Sequence, residues 1–290
     1  MNILVVGGTR FFGIPMIEKL ISDGHDVTIA TRGRNQDSFG DNVKRLILDR
    51  SDEASIAEVL DGRIYDAIID KIAYSSNDVK RLLDHVKCSK YILMSTSSVY
   101  EDICSATPES SFDPEKYKLV WCERADFDYS EVKRQAECAL VQHYPEQKYV
   151  AVRYPVVIGS NDYTGRLRLY VDKICSGESM YIDDMDSRIS FIHEREAGEF
   201  LAYVTEKDIF GAINGCCRGD ISVREIIEYI EKRTGREALF SDSGAAAPYN
   251  GYSAFATLDI SKAESSGFVF SNVKRKIFET IDGYLENINL

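Results

Sequence analysis

Several things are scarce in this chain of 290 residues, and each scarcity excludes something. Proline occurs six times and glycine 19 times, too seldom for a collagen-like or low-complexity protein. The seven cysteines (Cys88, Cys104, Cys122, Cys138, Cys175, Cys216 and Cys217) are odd in number and scattered. With no CxxC pair and no histidine at zinc-ligand spacing, they form neither a disulfide scaffold nor a zinc module. Reduced thiols and no bound metal are expected. No apolar run approaches the roughly 18 residues of a membrane span. The first strand pattern begins at Asn2 and leaves no room for a cleavable leader, so a cytoplasmic protein with no membrane partner is expected. Positive charge is also in deficit: 35 Lys and Arg against 47 Asp and Glu give a net charge of -12. Such a surface on average repels phosphate backbones and anionic headgroups, which makes nucleic acid an unlikely partner while leaving a local basic pocket possible.

What is present is ordinary for a globular protein, 44% hydrophobic and 28% charged residues, with enough length for a large core. Apolar runs bounded by turns alternate with helix-period segments through the first half. Strands are predicted at Ile3 to Val6, Asp26 to Ala30, Arg45 to Leu48, Ala67 to Asp70, Lys90 to Met94 and Tyr149 to Arg153. Helices are predicted at Ile14 to Asp23, Asp52 to Leu60, Ser76 to His85 and Tyr129 to Tyr144. This alternation implies a Rossmann-type, doubly wound parallel α/β sheet with crossover helices. After Arg153 the pattern turns irregular, with a strand-like Ile189 to His193 and helices at Glu196 to Thr205, Val223 to Thr234 and Lys274 to Asn287. The expected division is a dinucleotide-binding domain at 1–158 and 188–214, and a smaller C-terminal substrate lobe built from 159–187 and 215–290.

The opening Asn-Ile-Leu-Val-Val-Gly-Gly-Thr-Arg-Phe-Phe-Gly-Ile-Pro reads as a buried strand, a glycine turn and a helix start. There a dinucleotide pyrophosphate can sit on free N–H groups at the positive end of the helix. Gly7, Thr9, Arg10, Phe11, Phe12 and Gly13 are the cofactor candidates of this turn. Arg10 stands where a GxxGxxG turn would carry its middle glycine. The Gly7 to Gly13 turn resembles that of the extended short-chain dehydrogenase/reductases, the NAD-dependent epimerase/dehydratase family. Its GGTRFFG form is similar to an atypical branch that includes chloroplast stem-loop RNA-binding proteins.

The resemblance implies a set of roles. In NAD-selective relatives an acid closes the second strand and accepts hydrogen bonds from the adenosine ribose. Here that strand ends Ala30-Thr31-Arg32-Gly33-Arg34, so Thr31 replaces the acid, and Arg10, Arg32 and Arg34 can converge on a 2′-phosphate. NADP is therefore the expected cofactor, with NAD as the alternative. Asp49 resembles the aspartate that accepts the adenine amino group, and a helix N-cap is its other reading; Asp52 is the better cap for the helix that follows. Arg50, Ala73, Tyr154, Pro155 and Val156 fall at further cofactor-facing positions. Val156 replaces an asparagine often found there. Lys71 reads as a partly exposed loop lysine, with an approach to phosphate or substrate as its other reading.

The chemistry that the resemblance implies is hydride transfer, with a tyrosine taking or giving the substrate hydroxyl proton. A phenol of pKa near 10 needs a neighbouring cation for this, which a YxxxK spacing supplies on one helix face. Tyr129/Lys133, Tyr144/Lys148 and Tyr203/Lys207 have the spacing. Pro145 interrupts the second pair, and the third follows the return strand at a helix end. Tyr129 and Lys133 open a helix with core-facing Val132, Ala136, Ala139 and Leu140, and are the expected acid/base and its tuning cation; both also count as cofactor contacts. Ser95-Thr96-Ser97-Ser98-Val99-Tyr100 resembles the family's hydroxyl-rich stretch and places Thr96 at the catalytic hydroxyl, with Ser95 and Ser97 as its rivals. Arg188 before Phe191-Ile192-His193 resembles an arginine that grips a nucleotide-sugar diphosphate, and Arg166 is the second substrate candidate; His193 reads as structural. Leu258-Asp259-Ile260-Ser261-Lys262 resembles the family's C-terminal helix. The loop from Glu101 to Asp128 is expected to cover the site, with Glu109, Trp121 and Glu123 on it. The expected activity is a reductase or epimerase acting on a sugar-like alcohol or ketone, with nucleotide sugars among the candidates. A homodimer through the tyrosine helix is compatible. The other reading is a cofactor-binding protein without chemistry, in an RNA-associated or regulatory role.

Overall fold

In the computed structural model, which describes residues 1–251 and 254–287, the alternation of the first half becomes a parallel sheet. Its elements run β1 (Asn2–Val6), α1 (Gly13–Ser22), β2 (Asp26–Thr31), β3 (Val43–Ile47), α2 (Glu53–Leu60), β4 (Ile64–Asp70), α3 (Ser76–Leu83), β5 (Lys87–Thr96), α4 (Tyr129–Cys138) and β6 (Tyr149–Tyr154). The rest of the chain adds β7 (Val156–Ile158), α5 (Arg166–Ser176), β8 (Ser179–Met180), β9 (Arg188–Ile189), β10 (Phe191–His193), α6 (Glu194–Glu206) and β11 (Gly211–Asn214). It ends with α7 (Val223–Thr234), β12 (Leu239–Phe240), β13 (Phe255–Ala256), α8 (Ser261–Ser265) and α9 (Val273–Glu286).

The 7-stranded sheet has the order β11-β6-β5-β4-β1-β2-β3, and every pair in it is parallel. Strand side chains alternate between faces, so apolar residues at every position of β1 serve two cores at once. Ile3 and Val5 join Met16, Ile17, Leu20, Phe200 and Leu201 on the face of α1 and α6. Leu4 and Val6 join Ile56, Leu60, Val79, Leu82, Ala136 and Leu140 on the face of α2, α3 and α4. Helices α1 and α6 touch through Gly198, where a Cβ would stand 2.6 Å from both the Met16 nitrogen and the Phe12 oxygen. A separate apolar cluster lies among α5, α7 and α9, through Leu167, Tyr170, Ile174, Ile226, Ile230, Ile277 and Ile281.

Two expected elements differ in detail. The helix predicted to reach Tyr144 is α-helical only to Cys138 and finishes as a π-helical turn over Ala139–His143. The strand predicted over Ile189 to His193 divides at Ser190, because its halves have different partners: β9 pairs with β13 and β10 pairs with β7. Strand order reverses between β1 and β4, and a crevice at the carboxyl ends of strands at such a point is where ligands bind in open α/β sheets.

Candidate active site

The glycine turn after β1 is shaped by steric need. Gly7 and Gly8 adopt φ of 88° and 100°, and the Gly7 N–H donates to Ala30 O at 2.9 Å. A Cβ on Gly13 would stand 2.3 Å from Gly8 O, so the start of α1 can lie against the turn only with glycine there. Phe11, at φ 55°, takes the left-handed conformation that usually falls to glycine or asparagine. The Arg10 side chain leaves the turn and lies over the Tyr163 ring, with Cζ 4.2 Å from the centroid.

Two cavities open on this turn. The first, of about 680 Å³, is lined by Gly7, Thr9, Arg10, Thr31, Arg32, Arg34, Asp49 and Arg50, and also by Lys71, Tyr74 and Arg124. Among the described residues, the side chains of Arg10, Arg32, Arg34 and Arg124 make no hydrogen bond or ion pair, and all four residues line this cavity; the side chain of every other arginine has such a partner. The Asp49 carboxylate accepts Ser51 N and Oγ, which holds its pKa low, and the charges of Arg32 and Arg34 act in the same direction. Asp52 caps α2 by accepting Ala54 N at 3.0 Å. Arg50 differs from the expectation of a cofactor-facing side chain. Its guanidinium is buried, donating to Asp70 at 2.8 Å and to the Asp78 carbonyl at 2.7 Å.

The second cavity, of about 720 Å³, is lined by Phe11, Phe12, Thr96, Tyr129, Tyr154, Pro155, Val156 and Arg166. It shares Lys71, Ile72, Tyr74 and Tyr163 with the first, so the two form one continuous cleft. Tyr129 opens α4, whose N-cap Asp128 accepts Glu131 N at 2.9 Å. Lys133 lies one turn on, fully buried, with Nζ donating to the carbonyls of Ala73 at 2.7 Å and Met94 at 2.9 Å. Ala73 thus enters the site through its carbonyl, as the anchor of Lys133. Burial lowers the Lys133 pKa to about 7, against the opposing pull of Asp70 and Asp78. The Lys133 ammonium is 6.0 Å from the Tyr129 ring centroid. The Tyr129 ring is 46% exposed, yet desolvation raises its pKa, with a hydrogen bond to Thr96 and the charges of Arg166 and Arg124 acting the other way. Before any ligand binds, the phenol therefore carries its proton. Ser95, Thr96 and Ser97 all line the cavity; the Ser95 hydroxyl is taken up by Glu137, whereas that of Thr96 is the one hydrogen-bonded to Tyr129.

The structure does not bring every candidate here. Arg188 lines neither cavity: its guanidinium is bound by Asp220 at 2.6 Å and by Glu225 at 2.6 Å. Gly13 lines neither cavity and stands behind the turn against Gly8, whereas Phe12 lines the second. Tyr144 donates to Asp84, Tyr203 to the Ser266 carbonyl, and His193 caps α6 by accepting Arg195 N. The loop from Glu101 to Asp128 separates by function. Glu109 accepts Asn214 N at the sheet edge and Trp121 packs edge-on against His143, while Glu123 and Arg124 line the first cavity. Arg124, Tyr74 and Tyr163 escape a reading by motif. Their signal is chemical: Arg124 and Arg10 lie over aromatic rings at the cleft with no carboxylate to neutralise them.

A glycine turn at the switch point of a parallel sheet, opening on one continuous cleft, is the architecture of an epimerase/dehydratase enzyme of the short-chain dehydrogenase/reductase type. The chain belongs to the NAD dependent epimerase/dehydratase family, whose sequence profile matches residues 3–214. Its fold is that of UDP-sugar epimerases. UDP-glucose 4-epimerase from Thermotoga maritima, solved with UDP-glucose, superposes with a TM-score of 0.75 at 18% identity, covering 99% of each chain. UDP-glucose 4-epimerase from Thermus thermophilus, solved with NAD, gives 0.73 at 18% identity over 99% of this chain and 100% of that one. A UDP-glucuronic acid 4-epimerase variant from Bacillus cereus, also solved with NAD, gives 0.76 at 17% identity over 99% of this chain and 100% of that one. In sequence, the chain is 30% identical over 129 residues to the chloroplast stem-loop binding protein of 41 kDa b from Arabidopsis thaliana. That match spans 39% of this chain and about a third (34%) of the relative. Among the described residues no helix is long and apolar enough to cross a membrane.

Proposed function

We propose that this protein moves a hydride between a nicotinamide dinucleotide and a hydroxyl-bearing carbon of a sugar-like substrate, in particular a nucleotide sugar, as a reductase or epimerase. The observation that carries the reading is the continuous cleft: cationic and glycine-lined on one side, and lined by Thr96 and Tyr129 on the other. The first cavity fits a dinucleotide because its glycine turn keeps clear the space that a Cβ would fill, and because the Arg10, Arg32, Arg34 and Arg124 side chains on its wall have no hydrogen-bond or ion-pair partner. When bound, the nicotinamide supplies the hydride acceptor and donor. Tyr129 takes or returns the hydroxyl proton, and Thr96 fixes the substrate oxygen beside it. Lys133, held by two carbonyls, lowers the cost of a tyrosinate when it is protonated.

NADP is the cofactor this reading favours over NAD. Thr31 presents no carboxylate to a 2′-phosphate, and Arg32 and Arg34 stand beside Asp49 without an ion pair of their own. The substrate belongs to the second cavity, where Arg166 at the start of α5 donates to Thr164 at 3.0 Å and keeps further N–H groups for an anionic substituent. Residues 1–158 and 188–214 then hold the cofactor, and 159–187 with 215–290 hold the substrate. A cytoplasmic homodimer belongs to the same reading, and sedimentation of the purified chain tests its second half.

A nucleotide-sugar panel incubated with protein and NADP or NAD, followed by NMR of the sugar ring, tests the activity. Conversion that disappears in Tyr129→Phe while cofactor still binds supports it; unchanged conversion in that variant refutes the role of Tyr129. A role without chemistry, suggested by the stem-loop binding relative, predicts no turnover in either protein and stem-loop RNA binding in both.

A further inference from the structure

Lys71 directly follows β4 at the point where strand order reverses, and its backbone N–H donates to Val6 O at 3.2 Å. The next residue, Ile72, lies over the glycine turn, 3.0 Å from where a Cβ on Gly7 would stand. The Lys71 ammonium is 4.0 Å from the Phe12 ring centroid, and the residue lines both cavities. Other enclosed lysines have acceptors. Lys90 donates to the carbonyls of Val204 and Lys207, and Lys133 donates to those of Ala73 and Met94. Among the described residues, Lys71 Nζ makes no hydrogen bond or ion pair. An ammonium kept half out of water without an acceptor is costly as a structural element, and the cost falls when an anion arrives.

A second cation of the turn bears on it. Arg10 stands where a glycine turn would have its middle glycine, and its charge together with burial lowers the Lys71 pKa to about 8. The titratable groups at this junction are Arg10 on the turn, Tyr163 from the connection between β7 and α5, and Tyr74 on the segment of Lys71 itself; Arg124 stacks on Tyr74 at 3.7 Å. The acids that line the first cavity have other partners: Asp49 binds Ser51, Asp78 accepts Tyr74 N and Ser75 N, and Glu123 pairs with Arg81.

We infer that Lys71 and Arg10 act as a two-cation clamp on the diphosphate of the bound dinucleotide, with Lys71 on the side of the second cavity. The inference rests on the reading of the cleft as a dinucleotide site. An ordinary glycine turn holds its diphosphate with backbone N–H groups and a helix end alone. Here the anion also converts repulsion between two cations into attraction to both, which favours the protonated Lys71 and draws in a proton near pH 8.

Calorimetric titration of the full chain with ADP-ribose, ADP and adenosine tests the clamp, because adenosine lacks the diphosphate. At pH 7, Lys71→Met is expected to weaken ADP-ribose and ADP by roughly 10- to 100-fold and to leave adenosine nearly unchanged, while Lys71→Arg recovers most of the loss. Arg10→Met weakens the same two ligands. Near pH 8, titrations in buffers of different ionisation enthalpy are expected to show proton uptake with ADP-ribose that Lys71→Met abolishes. ADP-ribose binding unchanged by Lys71→Met, or adenosine weakened equally, overturns the clamp; so does a variant that changes only the KM of a nucleotide sugar. The two readings fail separately. Lys71-dependent ADP-ribose binding without NADH or NADPH binding keeps the clamp and removes the nicotinamide assignment, whereas tight NADPH binding indifferent to Lys71→Met does the reverse.

Discussion

Four arginines on the wall of the first cavity and those around the C-terminal helices carry the same charge in opposite circumstances. Arg188 is held by Asp220 and Glu225, Arg224 by Asp186, Arg218 by Glu264 and Arg233 by Asp282. Arg10, Arg32, Arg34 and Arg124 face one cavity with no side-chain hydrogen bond or ion pair, Arg10 and Arg124 over aromatic rings and Arg32 and Arg34 near Asp49. In a chain with a net charge of -12, acidic partners are abundant, so the absence of pairing in one place is informative. Neutralised arginines tie elements together, while unneutralised ones gathered in a cavity leave a site for an anion. The same contrast holds among the lysines, between Lys133 on two carbonyls and Lys71 on a ring.

The largest effect is expected where a fully paired arginine loses its partner. Arg153 is fully buried, donating to Glu137 at 2.6 Å and 3.0 Å. Glu137→Ala leaves that charge uncompensated and is expected to cost about 3–5 kcal/mol in chemical denaturation. A loss below about 1 kcal/mol would show that the paired class does not behave as structural. Next in size is the chemistry. Tyr129→Phe is expected to lower turnover by roughly 10²- to 10⁴-fold, with NADPH affinity within about threefold of the parent. A fall in affinity as large as the fall in rate would move Tyr129 from catalysis to binding. The smallest effect is expected at Arg188, which is partly exposed and paired: Arg188→Ala should cost about 1 kcal/mol or less in thermal unfolding and leave the KM of any nucleotide sugar unchanged. A tenfold rise in KM would return Arg188 to the substrate site.

Much of the sheet was legible because each buried strand is a short apolar run between turn residues, and the register follows once the order is parallel. The Tyr129/Lys133 pair was legible because its helix carries its own core-facing repeat, and Asp52 as a cap because an acid precedes a helix-period segment. The fate of charged side chains was not. Whether Arg50 reaches a cofactor or folds back to Asp70 depends on a partner 20 residues away, and Arg188 on one 32 away. Arg124 and Tyr163 reach the cleft only through the paths of two long connections, which no local periodicity specifies. Lys71 could be read either as a loop lysine or as a phosphate contact, and its ring neighbour and the absence of an acceptor become visible only in three dimensions.

The most direct test of the contrast between paired and unpaired arginines is a pair of fluorescence titrations with NADPH and NADH at fixed salt, on the parent protein and on the Arg32→Met/Arg34→Met double variant. Tighter NADPH binding by the parent, with a preference of roughly tenfold or more that the double variant loses while NADH affinity stays, is the predicted result. Equal affinity for the two, or a preference for NADH in the parent, would contradict it.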